Sequence, residues 1–119
     1  MTKTKPGIDE SGHLTPVVFH SLLALSKGPL HGYAISREVE QVTDGSVRMG
    51  PGTLYGSLQR MQAAGYVEQV GNVGATGAHS DRRRYYALTG AGRMALEREA
   101  HRLEKAVDLY RTRAILERG

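Results

Sequence analysis

Thr53, Ser57 and Arg60 follow one another at steps of four and three, the spacing that stacks side chains on one face of a helix. Leu54, Leu58 and Met61 are apolar and supply the buried back of that helix. An amphipathic helix ordinarily covers its outer face with long charged side chains, but Gly52 and Gly56 leave this one bare. The chemistry on offer is hydrogen bonding, not bond breaking. A helix with short polar side chains fits a DNA major groove, where Thr53 and Ser57 would contact base edges or phosphates and Arg60 the backbone. Ordinary solvated surface is the other reading of the same three residues. Tyr55 has two readings as well: a ring on the seam between helices with its hydroxyl on a phosphate, or core packing.

Two further groups carry polar chemistry. His31-Gly32-Tyr33 opens a helix whose first N–H groups have no partner within the helix, which suits a phosphate without any side-chain charge. Gly32 is equally explained by a turn, and Tyr33 by packing. Arg82, Arg83 and Arg84 are consecutive, so in an extended strand Arg82 and Arg84 share a face and would follow a phosphate backbone or enter a minor groove, with His79 nearby. A salt-bridged surface with Asp81 is the alternative. Five histidines raise the question of a metal, yet no two stand at helical i, i+3 or i, i+4 spacing and the chain has no cysteine. Gly71, Gly74 and Gly77 lack the Lys-Ser/Thr of a nucleotide loop. We expect no cofactor, no metal site and no enzymatic activity.

These residues need a scaffold. The 119 residues fit one domain, and 16 Lys+Arg against 12 Asp+Glu leave a mild excess of +4. No apolar run approaches the ~20 residues of a membrane span and the polar start lacks a signal-peptide core, which suggests a cytoplasmic protein with no membrane partner. Residues 1–14 read as a flexible arm. Thr15-Pro16 starts a helix with Val18, Leu22 and Leu25 on one stripe and Phe19 and Leu23 on the next; Lys27-Gly28-Pro29 ends it. A second helix runs from His31-Gly32 to about Thr43, and the glycine-bare helix is the third, stopped by Gly65. The period then changes to two in Tyr66–Val70 and again in Arg84–Leu88, giving two strands around a long Gly-rich loop.

Thr89 caps a final helix. Leu96, Ala100, Leu103, Val107, Tyr110 and Ala114 recur at steps of four and three, a heptad seam with little of its own chain left to cover it. We expect a second copy to pack on that seam.

Helix, helix, helix, hairpin, long helix is the winged helix-turn-helix plan, mainly α, with an added dimerisation helix: residues 15–89 the winged helix and 90–119 the helix. At Leu22-Leu23-Ala24-Leu25, Gly28-Pro29-Leu30-His31-Gly32-Tyr33, Gly52-Thr53-Leu54-Tyr55-Gly56-Ser57-Leu58, Gly65-Tyr66-Val67 and Arg83-Arg84-Tyr85-Tyr86-Ala87-Leu88-Thr89-Gly90-Ala91-Gly92 the chain resembles the PadR family of bacterial transcription regulators, in its short form. The resemblance implies a homodimeric repressor on a pseudo-palindromic DNA operator, released by a small-molecule ligand. It also implies a site for flat aromatic or hydrophobic effectors where the first and last helices meet, near Phe19, Leu103, Val107 and Tyr110; core packing explains the same residues. Gly56 departs from the family, whose members often carry Arg or Lys there, so no base contact is carried over to it. The rival reading is a winged-helix module that binds protein and not DNA.

Overall fold

The computed structural model describes residues 12–71 and 84–118, with side chains through residue 117. The described elements are α1 (Pro16–Leu25), β1 (Leu30–His31), α2 (Gly32–Val42), α3 (Pro51–Ala63), β2 (Val67–Val70), β3 (Tyr85–Leu88) and α4 (Gly90–Arg118). Thr15 starts α1 by accepting the Val18 N–H on its Oγ1 at 3.4 Å, with Pro16 at a position that needs no N–H. Asp44 and Gly45, at φ 50° and 79°, turn the chain between α2 and α3. Gly65, at φ 81°, ends α3. Its N–H donates to the Gln62 carbonyl at 3.0 Å and the Tyr66 N–H to the Met61 carbonyl at 2.9 Å, closing the last turn.

The strands form one antiparallel sheet in the order β1-β3-β2. Val67 faces Leu88 and Val70 faces Tyr85 across β2 and β3, while His31 faces Tyr85 across β1 and β3. The sequence predicts two strands, and β1 is the addition. Two residues are too few to show alternation; β1 exists because β3 lies beside it to pair with.

One core joins all the helices. Val18, Leu22 and Leu25 of α1 meet Ile35 and Val39 of α2, Leu54, Leu58 and Met61 of α3, Val67 and Tyr86 of the sheet, and Ala95 and Leu96 of α4. Two placements differ from expectation. Leu14, assigned to the arm, belongs to this core. Leu96, assigned to the seam, is only 7% exposed and is spent on its own subunit. The heptad steps carry no mark of where own-chain cover ends, so Leu96 and Leu103 look alike in sequence.

Glu99 holds the arm's last residues down. It is 6% exposed, paired with Arg102, and accepts the Leu14 N–H. The Arg102 hydrogen bond, helped by the Leu14 N–H and the nearby His13, keeps this carboxyl below its usual range, against burial, which acts upward. A lowered folded pKa means the contribution is complete above the unfolded value, here 4.5, and is lost as pH falls through the lower folded value. The advantage of the wild type over Glu99→Gln in denaturant midpoint should therefore be full at neutral pH and shrink below about pH 4.5. An advantage constant with pH would show that the carboxylate charge plays no part.

Candidate nucleic-acid interface

The start of α2 is built from His31. Its Nδ1 accepts the Ala34 N–H at 3.2 Å, which caps the helix. One of the N–H groups expected to face a phosphate is thus already used. The His31 ring lies parallel to Tyr33 at 6.4 Å and edge-on to Tyr85 at 5.6 Å, joining the helix start to the wing strand β3. Tyr33 is 62% exposed and does not pack inward; the Arg37 guanidinium lies 5.8 Å from its ring centre.

Gly32 is small because of Tyr55. A Cβ on Gly32 would stand 3.2 Å from the Tyr55 ring and hydroxyl, tighter than side chains normally pack. The ring is 48% exposed, so Tyr55 sits on the seam between α2 and α3 and is not core. Burial pushes the Tyr86 phenol up, countered by Arg84, with Tyr55 also acting on it. The start of α2, the first half of α3 and the end of the wing therefore meet around one group of tyrosines. Arg84 is exposed beside them. His79 and Arg82, the other expected wing contacts, lie outside the described residues.

On α3 the expected open face is rearranged. Thr53 and Arg60 are exposed, but Ser57 is buried at 2% and lies beside Leu54, Leu58 and Met61. Four-residue spacing places Ser57 some 40° from Thr53, and that rotation is enough to turn it onto the packed side. Its hydroxyl accepts from Arg60 Nη2 at 3.3 Å. The outward residue that the sequence reading missed is Gln59, exposed on the side away from the core. It follows Gly52 by seven positions and Gly56 by three, so a helical projection from the two glycines would have found it. Gly52 has nothing within 4 Å of where a Cβ would stand.

The residues expected at a dimer contact separate along α4. Gly92, Ala95, Leu96 and Glu99 are buried in the subunit, and the same face continues outward beyond them. Ala100 is exposed, as are Leu103 at 38%, Val107 at 45% and Tyr110 at 70%; Ala114 is half-buried. At 29 residues α4 is about 43 Å long, and its second half has no cover from the described residues. Phe19 on α1 packs at the margin of the core with its ring edge-on to His20, whose Nδ1 is buried with no hydrogen-bond partner among the described residues. Among the described residues no cluster of His, Asp or Glu could hold a metal ion, and no helix is long and apolar enough to cross a membrane.

Comparison with known proteins places this architecture. The transcriptional regulator PadR-like family matches residues 22–98, which span α1 to the first third of α4. The chain belongs to that family. It is a family of transcription regulators and not of enzymes. Among solved structures the chain is similar to a PadR family regulator from Clostridium difficile, with a TM-score of 0.65 and 25% identity over 82% of this chain and 97% of that one. It also shares its fold with Bacillus subtilis PadR in complex with operator DNA, at a TM-score of 0.58 and 20% identity over 70% and 45% of the two chains. By sequence it is 46% identical, over 71% of its length, to an uncharacterized 37.1 kDa protein of a Streptomyces fradiae transposon, of which it spans 22%. This PadR-type chain departs from polar capping custom at α2, and the cap can be tested. His31→Ala should lower stability by about 1 kcal/mol in denaturant unfolding, and His31→Asn should recover most of it. Equal losses in both variants would show that the ring contacts matter and the cap does not.

Proposed function

We propose that this PadR-type regulator acts as a homodimeric repressor that inserts α3 of each subunit into the major groove of a pseudo-palindromic operator and lays the wing along the adjacent backbone. The observation that carries the reading is the composition of α3. Across Pro51–Ala63 there is no carboxylate, the one charge is Arg60, and the first half of the outward side is bared by Gly52 and Gly56. Such a surface admits DNA without repulsion, whereas a protein-docking helix would offer apolar anchors on that side. The start of α2, with Gly32 and Tyr33 and with Tyr55 of α3 beside it, and the wing, with His79, Arg82 and Arg84, supply backbone contacts on either side of Gly52, Thr53 and Arg60. Ser57 acts from beneath, through Arg60.

The seam of Ala100, Leu103, Val107, Tyr110 and Ala114 takes the second copy, since an exposed apolar row continuous with a packed face is costly to leave in water. The pairing sets the half-site spacing at about 34–36 Å. A small hydrophobic or aromatic effector held near Phe19, Leu103, Val107 and Tyr110 would release DNA by favouring a dimer whose α3 helices are mis-spaced. The protein works in the cytoplasm, on residues 15–89 as the DNA-binding unit and 90–119 as the pairing helix.

Footprinting on the DNA upstream of its own gene should show a protected, two-fold related site. Binding there should weaken steeply with salt, and Arg82→Ala with Arg84→Ala should reduce the slope of log affinity against log salt by about one per lost phosphate contact. An unchanged slope removes the wing from the interface. Leu103→Glu and Val107→Glu should each yield a monomer on sizing and abolish operator binding. A stable dimer in both would refute the seam.

A further inference from the structure

By the 3.6-residue period the outermost line of α3 runs Gly52, Gly56, Gln59, Ala63. The first half of that line is backbone alone. A Cβ on Gly52 would meet nothing within 4 Å, and one on Gly56 would meet only an Arg60 nitrogen at 3.8 Å. Ser57 is buried, and the Tyr55 ring is engaged against Gly32. Thr53 is exposed but short. The side chains long enough to reach a base edge from this face are therefore Gln59 and Arg60, both in the second half of the helix.

We propose that this half carries the base readout, Gln59 taking an adenine and Arg60 a guanine, and that the bare glycine half lets the helix backbone settle close to the groove. The proposal rests on the DNA-binding reading above. A glutamine amide offers one donor and one acceptor side by side, which matches the N7 acceptor and N6 donor of adenine. A guanidinium offers two parallel donors, which match O6 and N7 of guanine. Ser57 is a positioning residue. Its hydroxyl accepts one Arg60 N–H at 3.3 Å and holds the guanidinium along the flank of α3, with four N–H donors of the side chain remaining for other partners. Standing next to each other on the helix, Gln59 and Arg60 read neighbouring base pairs of one half-site.

The test is site selection from a pool of random duplexes with the full chain, as wild type and as Gln59→Ala, Arg60→Ala and Ser57→Ala. Affinities are then measured on the selected duplex and a scrambled one. The wild type should select a site containing an adenine beside a guanine. Gln59→Ala should lose discrimination at the adenine and weaken on the selected duplex by about 5- to 150-fold. Its binding to the scrambled duplex should change little, because non-specific affinity comes from cationic groups that release counterions and a neutral side chain releases none. Arg60→Ala should lose discrimination at the guanine, and Ser57→Ala should relax it partially. A Gln59→Ala protein that selects the wild-type site with wild-type discrimination, or that weakens equally on both duplexes, overturns the assignment. A wild type that selects no site at all overturns the DNA-binding reading itself, and this assignment with it.

Discussion

The contact on which the molecule turns is the joint between the end of α3 and the start of α4. Thr89 makes three bonds there. Its N–H donates to the Tyr66 carbonyl at 3.0 Å, its hydroxyl donates to the Gly65 carbonyl at 2.5 Å, and its Oγ1 accepts the Gly92 N–H at 3.0 Å. Gly92 lets the helix come this close: a Cβ there would stand 2.1 Å from the Tyr66 carbonyl oxygen, a contact that only a backbone shift could relieve. Two helices with 26 residues between their facing ends, Ala63 and Gly90, are thereby tied together. The residues that follow α3 are thus bonded to the start of α4, while α3 itself packs on α1, α2 and β2.

That joint would couple the proposed pairing of α4 to the helix-turn-helix. In the proposed dimer, α4 would carry the relative geometry of the pair back to its root, and that root is bonded to Gly65 and Tyr66, just after α3. Rigid elements joined by short hydrogen bonds with no spare space transmit a rotation and do not absorb it. The opposite end of α3 is less tightly bound. Gly50 provides no side-chain cap, and Gly52 has open space around it. The helix is fixed where it meets the rest of the protein and bare where it meets something else.

The tyrosine group around the start of α2 plays a second joining role. β1 is two residues long, yet its pairing with β3 places His31 against Tyr85, and the same His31 caps α2. His31 is thus one of the residues that couple wing and helix-turn-helix, alongside Leu30 opposite Tyr86 and the shared core.

Local signals were legible without coordinates wherever the cause is local. Thr15-Pro16, Gly65 and Thr89 mark their element ends because capping and left-handed turns depend on neighbours a few residues away. The inward rows Val18-Leu22-Leu25 and Ile35-Val39 follow from helical period. The motifs that resemble PadR regulators carried the fold order with them. What the tertiary structure alone decided is which side of a borderline residue is covered. Ser57 is small and polar and reads as surface, but its angle on α3 turns it into the packed side under Arg60. Leu96 and Leu103 share one seam in sequence and differ only in whether the rest of the subunit reaches them. Gln59, by contrast, carries no motif but was within reach of the sequence, since helical projection from Gly52 and Gly56 puts it on the outer line. Spacing along the chain determines which residues share a face; where that face ends against a neighbour depends on packing between elements distant in sequence, which no local pattern records.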